Sequence, residues 1–301
     1  MTFIIKNKNL VMRWFGVFLL AIAATSLSAQ VRYGFKTGLN FAHISGPSEM
    51  SDAGASLESW KSITGFHIGF SLGYNITDYF GLRGELLYTK KGGKYTFDGP
   101  SYRIFRYNGG STYSTGNSRY LINVNNAYLD LPILAYGRWK DFELTAGGYL
   151  GLMVQSVGDG SISYTGGRTD LPNSSIADLE FNLDYNFRKD APGGGDNSQT
   201  VVAQVDGKTL ELPKTLGAYY DYTEDKGNLY NSFDYGLVVG LSYYLSRSLF
   251  AGVRLQYGLA DVTNNTADLA KARTAGDHST LLYRTDTDRN VVIQASVGFS
   301  F

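Results

Sequence analysis

Eight stretches of this chain alternate apolar and polar residues with a period of two, and the connections between them alternate short and long without exception. The stretches are residues 33–44, 63–74, 79–92, 122–138, 141–157, 232–246, 249–262 and 290–301. Asn75 to Asp78, Trp139-Lys140 and Arg247-Ser248 are tight turns, whereas 45–62, 98–121, 158–231 and 263–289 are long and polar. A two-residue period puts successive side chains on opposite faces of a strand. Strands joined by alternately tight and long connections predict an all-β, eight-stranded antiparallel up-and-down transmembrane β-barrel with short periplasmic turns and long extracellular loops. Strands of about 9 to 12 residues, tilted, cover the roughly 25 Å apolar band of such a barrel.

The two faces differ in kind. Phe66, Ile68, Phe70, Leu72 and Tyr74, then Leu129, Leu131, Ile133 and Ala135, then Leu237, Val239, Leu241 and Tyr243 share one face. The other carries His67, Gly69, Ser71 and Gly73, then Tyr128, Asp130, Leu134 and Tyr136, then Asp234, Gly236, Gly240 and Ser242. Glycine and serine cover a water-facing surface poorly but line a narrow lumen well, so the apolar face is assigned to lipid. Tyr79, Phe80, Trp139, Phe142, Tyr243, Tyr244 and Phe250 on the short-turn side, and Tyr88, Tyr95 and Tyr257 nearer the loops, are expected to form two interfacial girdles.

Composition removes several function classes. The balance of 27 basic and 27 acidic residues in 301 argues against a nucleic-acid binder that relies on a basic surface, and with no cysteine there is no disulfide, thiolate metal site or cysteine nucleophile. Lys6, Lys8 and Arg13 precede the apolar run WFGVFLLAIAA, and TSLSAQ follows, the layout of a secretory signal peptide over residues 1–29 with cleavage expected after Ala29, or at Ser28 because Leu27 is bulkier than the small-residue pattern prefers. Its removal leaves 27 − 3 = 24 basic against 27 acidic residues, and residues 30–301 as one barrel domain with 158–231 as a long extracellular insertion.

The stretches GFKTGLNFAHISG (34–46), GFHIGFSLGYNITDYFGLRGELLYTKKGGKY (65–95), AYLDLPILAYGR (127–138), FDYGLVVGLSYYLSRSLFAGVRLQYGLADV (233–262) and VVIQASVGFSF (291–301) together resemble the PorT-like or "porin family" outer-membrane β-barrel proteins of Gram-negative bacteria. The resemblance implies fold and outer-membrane location, reached by export, more than activity; some relatives belong to a protein-secretion apparatus. It also implies that Phe301, with Phe299 and Val297 on the same face, is the C-terminal signal read by the barrel-insertion machinery.

Carried through every strand, the face assignment turns Lys36, Arg83, Glu85, Asp130, Arg138, Glu143, Asp234 and Arg254 inward. An eight-stranded barrel is only wide enough for side chains to fill, and charges there must be paired. The balanced signs predict a plug of ion pairs: a central network of Arg83, Glu85, Asp130, Asp234 and Arg254, with Arg138 and Glu143 near the periplasmic mouth. Arg254 is expected to meet Asp234, Glu85 or Asp130.

Catalytic and metal signals are thin. Of His43, His67 and His278, His67 faces inward with Ser71 and Asp130, but residues four apart on a strand are about 13 Å apart, so a lining histidine is expected and no catalytic set. Asp184, Asp190, Asp196, Asp206 and TDTDRN (285–290) lack calcium-loop spacing and read as solvated carboxylates, and no cofactor or metal is expected. Lys90, Lys91 and Lys94 cluster where the third strand emerges and either meet lipopolysaccharide or keep the strand soluble. Within 158–231, DLEFNLDYNF (178–187) and TVVAQVDGKTLEL (200–212) alternate like strands, the second around an Asp206-Gly207 turn, and predict an extracellular hairpin or strand extensions. Tyr219, Tyr220 and Tyr222 suit either recognition of a protein or glycan or packing against that hairpin. The expected role is noncatalytic, structural or interacting, through extracellular loops; a narrow passive porin, a secretion-apparatus subunit and a lipid-modifying enzyme are the alternatives.

Overall fold

The computed structural model of the protein describes residues 31–274, 276 and 280–301; the expected signal segment 1–29 and His278 lie outside them. The strands are β1 (Val31–Ser45), β2 (Glu58–Lys61), β3 (Ile63–Asn75), β4 (Phe80–Tyr107), β5 (Gly110–Trp139), β6 (Phe142–Thr169), β7 (Ser175–Ile176), β8 (Leu179–Asn186), β9 (Gly195–Val205), β10 (Lys208–Leu216), β11 (Phe233–Tyr244), β12 (Leu249–Gly258) and β13 (Arg289–Ser300). Among the described residues no helix is long and apolar enough to cross a membrane.

Eight of the strands form a ring. β1, β3, β4, β5, β6, β11, β12 and β13 each pair antiparallel with the next, and β13 returns to β1 from Gly34↔Ser300 to Ser45↔Arg289. Closure leaves no open edge in the ring and satisfies the backbone within the sheet, which lipid demands of anything that crosses it. The outward face is a belt of exposed apolar side chains, among them Phe70 at 66% and Ile133 at 69% exposure, with Leu237, Leu255 and Ile293. Val297, Phe299 and Phe301 also face outward, the last two rings lying parallel with centroids 6.3 Å apart.

The girdle expectation needs correcting at three positions. Tyr244 and Phe250 are buried and lie side by side as a cross-strand pair of β11 and β12, with centroids 5.5 Å apart, and Tyr95 is buried above the barrel. Their strand parity puts all three on the inner face: Tyr95 follows Arg83, Glu85 and Lys91 in steps of two.

The expectation of a polar loop over 98–121 is also wrong, as is the start of a loop at 158. β4 and β5 run on as one hairpin to a two-residue turn at Asn108-Gly109, and β6 continues to Thr169. The segment looks polar, but its tyrosines and threonines are good strand formers, and Asn-Gly closes a tight hairpin. Part of the 45–62 connection is likewise a strand, β2, paired with β4. The hairpin expected at Asp206-Gly207 is β9–β10, with both turn residues at positive φ (50° and 77°).

Beyond the barrel, the long strands, β8, β10 and the returning chain enclose a second core. Phe97, Tyr120, Ile122, Tyr164, Phe181, Leu183, Val205, Leu216 and Tyr230 are buried there. Tyr219 and Tyr222 pack into this cap and are not exposed; their hydroxyls donate to the Phe187 and Ala267 carbonyls.

Candidate functional site

Inward-facing residues fill the ring in layers, beginning at the short-turn end. Arg83 donates from both terminal nitrogens to the two Glu143 oxygens, at 2.8 and 2.9 Å, and lies over the Tyr136 ring at 4.8 Å. The Tyr244 hydroxyl donates to Glu143 at 3.1 Å, and Arg138 stacks on the Tyr244 ring at 3.4 Å. A forked pair of this kind is the strongest arrangement a buried guanidinium and carboxylate can adopt.

Above it, Glu85 accepts from Lys36 at 2.5 Å and from Arg254 at 2.7 Å, and Arg254 also donates to Gln294. Arg254 therefore meets Glu85 across the lumen, while Asp130 and Asp234 belong to a separate, higher group. There Lys91 sits between Asp130 and Asp234 at 3.1 Å from each, fully buried, with its ammonium over the Tyr128 and Tyr149 rings at 4.5 and 4.6 Å. Tyr149, Asn290 and Gln256 supply further donors to these two carboxylates. The single central network expected from the sequence is thus three separate groups, and Arg83 joins Glu143 at the mouth.

Lys91 is the residue the sequence reading misplaced. It belongs to the lumen and not to the surface cluster with Lys90 and Lys94; Lys90 points outward over the Phe66 ring and Lys94 is exposed. Strand parity carried it: Arg83, Glu85, Leu87, Thr89 and Lys91 share one face.

His67 does not join Ser71 and Asp130. Asn40 gives both amide hydrogens away, to the Phe66 and Lys90 carbonyls at 2.9 Å each, so its Oδ1 accepts from His67 Nδ1 at 2.7 Å. That fixes the tautomer, and Nε2 accepts from the Ser296 hydroxyl at 2.8 Å. His67 is fully buried against Gly38, where any side chain would strike the ring, so this chain of polar groups is a satisfied part of the filling. His43 is half-buried on the outward face of β1.

In the cap, Arg284 is surrounded by carboxylates. It donates to Glu58 at 2.6 Å and to Asp286, and lies 3.8 Å from Asp268. Asp268, Asp286 and Asp288 have oxygens within 4.8 Å of one another, a spacing that could hold a cation, but the guanidinium already lies among them. Asp286 and Asp288 are therefore partly or largely buried, which corrects the reading of TDTDRN as solvated. Burial, reinforced by Asp286 and Asp268 and opposed by a hydrogen bond from Thr263, pushes the Asp288 carboxyl up to about 6. Burial alone would raise Glu58 too, but Lys271 and Arg284 hold it below the usual carboxylate range. Beside these groups lies a cavity of about 100 Å³ walled by Trp60, Tyr95, Tyr120, Phe187 and Tyr230.

Solved structures similar to this chain are outer-membrane proteins. The attachment invasion locus protein Ail of Yersinia pestis is 10% identical, with 90% of this chain and 99% of that one covered and a TM-score of 0.33. OprG of Pseudomonas aeruginosa is 9% identical, with 91% and 97% covered and a TM-score of 0.34. The protease OmpT of Escherichia coli is 9% identical, with 92% and 99% covered and a TM-score of 0.31. At these values none of them bears on what this chain does. No curated protein matches the chain. A family model described as outer membrane protein beta-barrel domain matches residues 24–264, which hold seven of the eight ring strands, and the chain belongs to that family.

Proposed function

We propose that this outer-membrane protein is an eight-stranded up-and-down transmembrane barrel of the PorT-like kind, with a plugged lumen, acting without catalysis as a structural or interaction protein through its extracellular cap. The observation that carries the reading is the filling of the lumen by three charged groups at successive heights, each with its carboxylates paired. A conducting pore needs a continuous wet path and rings that favour one sign of charge; here every level mixes both signs, two cations with one carboxylate in the lower two groups and one cation with two carboxylates in the upper. The ordered glycine-aromatic stretches support the PorT-like assignment, and the exposed apolar belt supports contact with lipid and lipopolysaccharide.

The cap is the part that a rigid barrel carries beyond the membrane, and such segments are where recognition of a protein or glycan is placed on physical grounds. Affinity capture from native outer membrane tests it, comparing the full chain with one lacking Gly195–Leu216. The reading predicts a partner held by the full chain and lost from the shortened one. Identical capture by both chains would contradict a role for this part of the cap, and a captured set of secretion components would favour the subunit alternative.

A further inference from the structure

Arg103 is the buried cation that the architecture satisfies least. It lies on the extracellular extension of β4 with a side chain only 5% exposed, and its guanidinium carbon is 4.7 Å from the centre of the Phe181 ring. Stacking covers one face of the group and leaves the N–H edges in its plane to satisfy the charge. Asp221 is the one carboxylate within 4 Å among the described residues, and at 3.6 Å from Nη1 it stands beyond hydrogen-bond length. Nη2 is buried with no hydrogen-bond partner. Arg83 and Lys91 each make two good contacts to carboxylate, and Arg254, whose Nη2 is also unpartnered, still donates from Nη1 to Glu85 and from Nε to Gln294, whereas among the described residues no carboxylate stands within hydrogen-bond length of Arg103. An unmet buried donor on a charged group is costly and calls for a missing partner.

The space for that partner is present. Arg103 lines a cavity of about 140 Å³ together with Arg106, Phe181, Gly193, Tyr220 and Asp221. Arg106 is exposed and tied in place by a 2.8 Å bond from Nη2 to the Asp221 carbonyl, so a second guanidinium stands at the rim. The volume is several times the roughly 30 Å³ share of one water and well short of the roughly 300 Å³ at which drug-sized sites begin. Two arginines against one aspartate favour an anion, and a planar acceptor suits the edge of a stacked guanidinium.

We propose that Arg103 and Arg106 form a binding site for a small organic monocarboxylate taken from the extracellular side, with Asp221 as the internal group that the ligand displaces. The proposal rests on the reading of the cap as the part of the molecule that meets ligands. Titration calorimetry on the full chain folded in detergent, with sodium propionate at constant ionic strength and sodium chloride and propionamide as controls, tests it. Binding is expected for propionate alone, weakened at least tenfold in Arg103→Met and strengthened in Asp221→Asn, where the competitor has lost its charge. Absence of propionate binding in the wild type, an equal response to chloride, or binding that Arg103→Met leaves intact would overturn the site. Heat-modifiable migration checks that each variant is folded, and Arg103→Lys, which keeps the charge but loses the fork, serves if the methionine variant does not fold. Loss of partner capture on deleting Gly195–Leu216 is scored separately, so failure of the carboxylate site and failure of the interaction reading give different results.

Discussion

Replacing Lys91 by methionine would leave Asp130 and Asp234 facing each other in a fully buried space with no cation between them. Breaking a buried ionic group by removing one partner typically costs about 3 to 5 kcal/mol, so the variant should unfold at lower urea concentration than the wild type. Adding Asp130→Asn and Asp234→Asn to it should recover most of that loss. Asp288 carries a second prediction at this scale. Its folded value, about 6, lies above the ordinary 3.8, so its contribution to stability is full below about pH 4 and is lost as the pH rises through 6. Hydrogen exchange in segment 263–289 should therefore be faster at about pH 7.5 than at about pH 4 after correction for intrinsic rates, and Asp288→Asn should flatten the difference. The inward face of Lys91 was legible from parity, whereas the choice of Glu85 by Arg254 was not. Periodicity assigns a side chain to a face, but its height in the barrel depends on register between strands far apart in sequence, and a one-residue slip reverses every face.

At the level of elements, the ring strands were readable because one face must meet lipid and the other a narrow lumen, which enforces strict alternation. Where β4, β5 and β6 leave the membrane that demand ends, and their outer faces become polar, so alternation fades while pairing continues. Asn108-Gly109 was the remaining signal of a hairpin there. The β9–β10 hairpin kept both its turn residues and its alternation and was therefore legible. Removing Gly195–Leu216 should leave the ring inserted and heat-modifiable, since the hairpin pairs with β8 and not with any ring strand. It should make segment 158–231 protease-sensitive, because Ala203, Val205, Leu212 and Leu216 are buried in the cap core. In the ring itself, Ile133→Arg would put a charge on the exposed apolar belt and should cost about 2 to 4 kcal/mol if the site lies near the bilayer midplane.

The whole molecule combines a closed ring that satisfies every ring edge, an apolar outer belt, and an interior occupied by paired charges beneath an apolar cap. Length pattern and face chemistry were enough to read the barrel; the cap, built from contacts between segments more than 100 residues apart such as Arg106 with Asp221, was not readable from local pattern. The account's central claim is that the charges inside the ring close it. Planar-bilayer recording on the purified full chain tests that claim most directly. The paired layers predict no stable open level across a range of voltages, with at most brief small events; a steady, ion-selective conductance of the nanosiemens order in the wild-type protein would contradict the plugged lumen.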